Sequence, residues 1–581
     1  MLLKKLPLLF ICICYTANAD ILLTPNVSGV QEPVQKNIVS TLNVSIQDLP
    51  QPIDASQAQN FYDYSHDTVY DSIAPYGYFQ PKIQKNLIKS DEKWQLYYAI
   101  TPGPKTHIIA IDFHLTGEGA QEPGLQTLTP PLHVGDVFLS ENYEKFKTSL
   151  IEEANALGYI KANFSRHEVL INRKKNTAII YLTLDTGPRY YFGVLSFSPT
   201  PLNRKFLNRF VPFKQGEAYS ADKLYQLQTD LTNSNYFKSI SAVPDLNADN
   251  PQHQVPVKVK LKMRPKQEYI LGAGYGTDTG PRATLGSNWN YVNQNGDRFN
   301  TLLRISQVQS TALAKYIIPG SHPLTDQYNL NASIQTNSIN QGSSNLKQVG
   351  AGYTLSRGYW QRNFNLSYQV ERFSFFNNPY QTSHLLLPGI GTQYLRANDP
   401  LFPTEGYRFN VNFMAAKEGV LSDTNLAQTK VSTKWIHSFT PKQMVLLRGD
   451  FGYTAVHDLN MLPLSLSFFT GGAQSVRGYG YNVMGPGRYL LVGSAEYRYR
   501  VKENWYAATF FDMGNAFNNF PTARHATWQS RVDAYYQLLE RGAGVGVVWK
   551  SPVGPMELTL AKAMTTPGHP NRVQFNMGAD L

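Results

Sequence analysis

The chain has 581 residues, a formal net charge of +11, 36 tyrosines, 30 phenylalanines and two cysteines. That length exceeds what one hydrophobic core supports, so several domains are expected. Both cysteines, Cys12 and Cys14, fall in an N-terminal leader, which excludes a disulfide framework, a thiolate metal site and a cysteine nucleophile from the mature protein.

Residues 1–19 read as a secretory signal. Lys4 and Lys5 form the positive n-region, residues 6–15 a short apolar h-region, and Ala17-Asn18-Ala19 an A-x-A cleavage site. The apolar run is too short to span a bilayer as a helix, and no later run reaches that length. Abundant aromatics without long apolar runs suit a membrane β-barrel, where they ring both interfaces. Export, together with a cysteine-free mature chain, fits the Gram-negative outer membrane. The positive charge is not gathered into basic runs interleaved with aromatics, and no nucleic acid partner is expected.

The first half repeats. Gly77-Tyr78-Phe79, Gly158-Tyr159-Ile160 and Asn235-Tyr236-Phe237 recur at about 80 residues, each after a helix-like stretch and before a strand. Val134-Gly135-Asp136 and Gln215-Gly216-Glu217 precede Ser140 and Ser220, both placed to cap a helix. Tyr143, Phe146, Leu150, Ala154 and Leu157 share one helical face, and Leu224, Leu227 and Leu231 share another. Strands follow at residues 178–184 and 255–261. This β-α-α-β-β order, with the aromatic motif before the second strand, resembles the POTRA domain. The resemblance implies three copies, over residues 20–103, 104–188 and 189–265. The first is the least typical: it lacks the Gly-Asp/Glu element and carries a polar stretch from Gln47 to Gln59.

From residue 266 onward, alternation replaces helical spacing. About sixteen strand candidates can be marked, the even number expected of a bacterial barrel, with about twenty residues per strand and turn. Asn295-Gly296 reads as a short turn between two of them. In the last strand Val573, Phe575, Met577, Ala579 and Leu581 form an apolar face, and Gln574, Asn576, Gly578 and Asp580 a polar one. The expected fold is therefore multidomain: three α+β domains followed by a 16-stranded antiparallel transmembrane β-barrel over residues 266–581.

Enzymatic motifs are missing: there is no G-x-S-x-G elbow and no H-E-x-x-H, so no enzyme, cofactor or metal is expected. Gly272, Gly274 and Gly276, like Gly542, Gly544 and Gly546, read as barrel bends rather than a phosphate loop. The stretch from Met461 to Arg488 is too long for a tight turn and contains Ser475-Val476-Arg477-Gly478-Tyr479. Folded into a barrel lumen, Arg477 would need an acid, because an unpaired buried charge is costly. Asp512 and Glu496 are placed for this, with Phe510 and Ser494 on their strand faces. On the residues alone, a lumen in which all three face water remains open.

The Val-Arg-Gly-Tyr tip, the Phe510-x-Asp512-x-Gly514 strand and the Gly544-x-Gly546…Ser551-Pro552-Val553-Gly554-Pro555 segment look like the POTRA-plus-barrel superfamily, whose members insert or secrete proteins at outer membranes. Three POTRA domains before sixteen strands are most similar to the TamA family within it. The resemblance implies a loop lock formed by Arg477, Gly478, Tyr479, Glu496 and Asp512. It also implies a lateral gate between the first strand (Gly272, Gly274, Gly276) and the last (Phe575, Met577, Gly578). The expected partners are a TamB-like protein anchored in the inner membrane, outer-membrane proteins or autotransporters as substrates, and outer-membrane lipid. A two-partner secretion translocator for a dedicated exoprotein is the alternative.

Overall fold

The structure is a computed structural model and describes residues 21–90, 92–246, 252–376, 378–521, 527–552 and 554–577. The leader, Val553 and the last four residues, Gly578 to Leu581, lie outside the described residues. The chain forms two compact units.

The first unit runs to Ser196 and takes in Phe213–Tyr225 and Val243–Lys258. Its first domain is β1 (Leu22–Ser28), α1 (Val34–Gln47), α2 (Ala55–Ile73), β2 (Lys82–Lys89) and β3 (Lys93–Thr101). The strands form a sheet of order β1-β3-β2, with β1 and β3 parallel. Strand β3 alternates, so Trp94, Leu96, Tyr98 and Ile100 bury against Ile38, Leu42, Val69 and Ile73 of the two helices. The polar stretch from Gln47 to Gln59 is the helix–helix connection and the start of α2. There Asp54 accepts the N–H groups of Ser56 and Gln57 while Gln57 accepts that of Asp54, a capping box.

The second domain repeats the plan. It comprises β4 (His107–Thr116), a short α3 (Pro123–Gln126), α4 (Ser140–Ala156), β5 (Asn163–Asn172) and β6 (Thr177–Asp185), with sheet order β4-β6-β5. Tyr143, Phe146, Leu150 and Ala154 are buried against the sheet. Ser140 does not cap α4. Leu139 takes the extended cap conformation, its carbonyl accepts the Tyr143 N–H, and Ser140 becomes the first helical residue. In the third repeat, β7 (Tyr191–Phe197), a short α5 (Arg204–Leu207), α6 (Ala221–Asn233), β8 (Phe237–Pro244) and β9 (Gln254–Met263) have sheet order β7-β9-β8. Here Ser220 does cap, its hydroxyl accepting the Lys223 N–H at 3.4 Å.

The recurring Gly/Asn-Tyr motif has a backbone cause. Gly77, Gly158 and Asn235 have φ of +87°, +97° and +62°. Each ends the preceding helical stretch in the left-handed region, which glycine enters freely and asparagine tolerates best among the rest.

The second unit is the barrel with Phe197–Pro212 and Gln226–Ala242. Its strands are β10 (Gln267–Gly276), β11 (Gly280–Trp289), β12 (Arg298–Ser306), β13 (Gln309–Pro319), β14 (Asp326–Ile339), β15 (Gly342–Arg357), β16 (Trp360–Phe375), β17 (Gln381–Ala397), β18 (Gly406–Ala416), β19 (Leu426–Thr440) and β20 (Gln443–Val456). Then come two short strands, β21 (Phe468–Thr470) and β22 (Met484–Gly487), and finally β23 (Tyr489–Lys502), β24 (Trp505–Phe517), β25 (Glu540–Ser551), β26 (Gly554–Ala563) and β27 (Asn571–Met577). Among the described residues β10–β20 and β23–β27 make one 16-stranded sheet of sequential neighbours, with β21 and β22 paired separately. Helix α7 (Trp528–Leu538) lies between β24 and β25.

Alternation sorts the strands into two faces. Leu330, Ile334, Val349, Phe364 and Leu366 are exposed on the lipid side, while Glu371, Glu496, Arg498 and Asp512 are buried on the inner side. The rings of Tyr328, Tyr353 and Phe364 meet across three strands, as do those of Trp360, Tyr394 and Tyr407, forming part of an aromatic girdle. The expected short turn at Asn295-Gly296 is instead the end of a longer connection, residues 290–297, which other groups hold. The Tyr236 hydroxyl donates to the Gly296 carbonyl at 2.5 Å, and Asn203 Nδ2 donates to Asn295 Oδ1 at 2.7 Å.

Candidate functional site

Residues 457–488, between β20 and β23, fold back into the barrel. Their anchor is apolar first: Val476 is fully buried with Phe468, Leu490, Val492, Ala516 and Ala563. From β20, Arg448 donates to the carbonyls of Gln474 and Ser475, both at 2.5 Å. The chain is thereby fixed just ahead of Arg477.

Arg477 then sits over three strands. Its backbone N–H donates to Asp512 Oδ2 at 3.0 Å, and its side chain grips the same carboxylate bidentately, Nε to Oδ2 at 2.7 Å and Nη2 to Oδ1 at 2.9 Å. Nη1 donates to Glu496 Oε2 at 2.5 Å and to Glu557 Oε1 at 2.9 Å. The guanidinium lies 3.4 Å above the Phe510 ring, and the Ser494 hydroxyl donates to Asp512 Oδ1 at 2.6 Å. Arg477 is 4% exposed and Asp512 is fully buried. A planar fork with five donors suits this crowd of acceptors in a way that an ammonium does not.

Glu496 is shared. Arg498, two residues along on the same inner face, donates from Nε to Glu496 Oε1 at 2.5 Å, and its Nη2 lies 3.6 Å from Glu557 Oε2. The buried cluster is thus two arginines and three carboxylates. Arg498 could have been found by counting in twos from Ser494 and Glu496. Glu557, on β26, is brought in by the successive pairing of β24, β25 and β26.

Gly478 has φ +92°, and a Cβ there would meet the backbone of Lys562 and Ala563 at 2.9 Å. Its N–H donates to Gln574 Oε1 at 2.9 Å, and Gln574 Nε2 returns to the Tyr479 carbonyl at 3.2 Å. The Tyr479 hydroxyl donates to Glu540 Oε2 at 2.9 Å. Arg477, Gly478, Tyr479, Glu496 and Asp512 are therefore in one place, joined by Arg498, Glu557 and Gln574.

The first and last strands meet differently. Among the described residues β10 pairs only with β11, and β27 only with β26. The β10–β11 ladder runs without a register shift from Gln267–Trp289 to Gly276–Gly280. Gly272, Gly274 and Gly276 therefore make no bulge. They fall on the inner face, opposite Thr284, Arg282 and Gly280, and the Arg282 side chain lies against Gly274. Phe575 and Met577 lie on β27; Gly578 is outside the described residues.

Side chains, not a ladder, tie the two edges. The Phe575 N–H donates to Thr277 Oγ1 at 3.0 Å. Asp278, in the β10–β11 turn, accepts the Ala473 N–H at 2.6 Å, and Gln574 Nε2 stands 3.5 Å from its other oxygen. Gln474 Nε2 donates to Asn576 Oδ1 at 3.1 Å. The loop that carries Arg477 thus touches both sides of the seam.

The chain is similar to known proteins in two regions. Residues 292–580 match the Omp85 superfamily domain, and residues 24–102 match the POTRA domain described as TamA domain 1. The outer membrane protein assembly factor BamA of Neisseria meningitidis serogroup B is 22% identical over 507 residues, covering 75% of this chain and 63% of that protein; the chain thus spans less than two thirds of that relative's length. The crystal structure of BamA from Haemophilus ducreyi lacking POTRA domains 1–3 aligns with a TM-score of 0.68 at 17% identity, over 81% of this chain and 99% of that one. CdiB from Acinetobacter baumannii aligns at 0.46 and 13% identity, over 81% and 90%.

Proposed function

We propose that this chain, whose residues 292–580 match the Omp85 superfamily domain and residues 24–102 a POTRA domain, is an assembly factor of the TamA type, with its barrel in the outer membrane and its POTRA domains in the periplasm. It inserts or translocates outer-membrane proteins such as autotransporters, and it works without covalent chemistry. The observation that carries this reading is the seam. The two edges, β10 and β27, share no ladder among the described residues. An unpaired edge offers backbone donors and acceptors to an incoming strand, so substrate strands add there by β-augmentation.

In this reading Arg477 and its carboxylates are a lock that fixes the lumen loop, and the loop's contacts to Asp278, Gln574 and Asn576 hold the seam until a substrate competes for it. The arm is divided at about residues 20–103, 104–188 and 189–265, and it docks a TamB-like protein anchored in the inner membrane. Support for phospholipid transport to the outer membrane belongs to the same proposal. The test is capture: a photo-crosslinker carried on the POTRA arm in cells should trap one large inner-membrane-anchored protein. Trapping a secreted exoprotein instead would favour a two-partner secretion translocator and overturn the TamA-type reading.

A further inference from the structure

Helix α7 turns a broad apolar arc outward. Trp528, Val532, Tyr535 and Tyr536 follow one another at helical spacing within about a third of a turn, and they are 82%, 45%, 42% and 49% exposed. Ser530, Asp533 and Gln537 occupy the opposite side. Four large side chains on one arc are more than the scattered apolar exposure of an ordinary surface.

The helix's attachments decide what the arc faces. On β20, β23 and β24, the residues alternate with the inward Glu496 and Asp512 so that Tyr453, Tyr489 and Phe517 point to lipid. Their rings stack, Tyr453 to Tyr489 at 5.1 Å and Tyr489 to Phe517 at 5.5 Å. Phe520 joins them, 4.5 Å from Tyr489 and 5.0 Å from Phe517, and Tyr535 of the helix lies 5.9 Å from Phe520. Two more outward residues hold the helix on that side. Asn515 Nδ2 donates to the Leu538 carbonyl at 2.8 Å, and the Arg541 guanidinium lies 3.9 Å from the Tyr536 ring centre. The helix therefore continues the lipid-facing girdle rather than capping the lumen. Strand β24 runs in the same sense as β10, whose start follows the periplasmic arm, so this is the outer end of the barrel.

We propose that α7 is an interfacial helix, lying in the headgroup region of the outer leaflet with Trp528, Val532, Tyr535 and Tyr536 turned into the membrane. Tryptophan and tyrosine favour that depth, and an amphipathic helix of this kind binds in the interface plane by burying its apolar face. It would hold the β24–β25 side of the barrel at a fixed height in the bilayer.

The mature chain lacks cysteine, so single spin labels report cleanly. The full mature protein carrying Val532→Cys, Tyr535→Cys, Ser530→Cys or Gln537→Cys would be labelled and reconstituted in phosphatidylcholine–phosphatidylglycerol vesicles. Its fold would be checked by heat-modifiable mobility. Labels at 532 and 535 should be relaxed more by oxygen than by a water-soluble nickel chelate, and those at 530 and 537 the reverse. As a second measurement that leaves the helix intact, the part of the tryptophan emission lost in Trp528→Phe should be quenched by lipids brominated near the headgroup. Nickel access at all four positions would place the helix in water. Immobile labels at 532 and 535 shielded from both reagents would mean that protein covers the arc. Either result overturns the proposal, as does unquenched Trp528 emission.

Discussion

The carbonyl oxygen of Arg477 occupies the space a side chain on Gly542 would need: a Cβ built there falls 1.9 Å from it. Strand β25 is therefore bare where the loop tip crosses it, and the lock depends on a residue that makes no hydrogen bond to it. Gly542→Ala should displace the tip and destabilise the barrel by the 1–3 kcal/mol (roughly) typical of overpacking. Gly272→Ala, where the nearest side-chain atom is 3.6 Å from the new Cβ, should be near neutral. Thermal midpoints of both variants by heat-modifiable mobility check the contrast, and equal midpoints would count against the crossing.

The arginine cluster predicts an order of severity. Arg477→Ala leaves Asp512, Glu496 and Glu557 facing one another around a lost cation. Breaking a buried pair on one side costs about 3–5 kcal/mol. Arg477→Lys keeps the charge but loses the two-pronged grip on Asp512, so it should fall between Ala and wild type. Protease nicking of residues 457–488 in intact cells, read with the folded-mobility assay, should rise in that order.

Asp278 tests the tie between loop and seam. Asp278→Ala removes the acceptor of the Ala473 N–H and the neighbour of Gln574. A hydrogen bond to a charged acceptor contributes about 1.5–3 kcal/mol, enough to loosen the edge without unfolding the barrel. Cysteine probes at the seam should react faster with a membrane-impermeant maleimide in this variant than in wild type. An unchanged rate would show that the tie does not restrain the seam.

The arm should fold apart from the barrel, but unequally. Residues 20–188 hold two complete cores and should show a cooperative melt by circular dichroism. Residues 20–265 should also be soluble and folded. They would, however, expose Phe206 and Tyr236, which in the intact chain pack around Gly296, and should bind a hydrophobic dye more strongly. A broad, non-cooperative transition in the shorter fragment would place the boundaries elsewhere.

Much of this was legible in the sequence because it rests on local rules. The period-two alternation of Val573 to Met577 and the helical spacing of Tyr143 to Ala154 are written in the order of residues. Arg477 with Asp512 was legible because an arginine at the tip of a long loop needs a partner on a nearby inward face. Glu557, Gln574 and Asp278 were not, because their roles arise only when the folded-in loop reaches across β26 and the two edge strands. Gly542 was seen but misread. A strand glycine signals either a bend or a close approach, and only the loop's path chooses between them. The connection ending at Gly296 and the uncapped Ser140 failed for the same kind of reason, a contact or a cap one residue away overriding the local preference.

The central claim is that the seam between β10 and β27 opens for substrate. Thr277→Cys combined with Phe575→Cys, where the Phe575 N–H already reaches Thr277 Oγ1 at 3.0 Å, and neighbouring pairs such as Gly276→Cys with Asn576→Cys, would cross-link the two edges in a chain that has no native cysteine beyond Cys14. The decisive measurement is the rate of assembly of an outer-membrane substrate with the seam disulfide fully formed and again after reduction. The account predicts assembly blocked in the oxidised protein and restored on reduction. Assembly at the wild-type rate with the disulfide intact would contradict it.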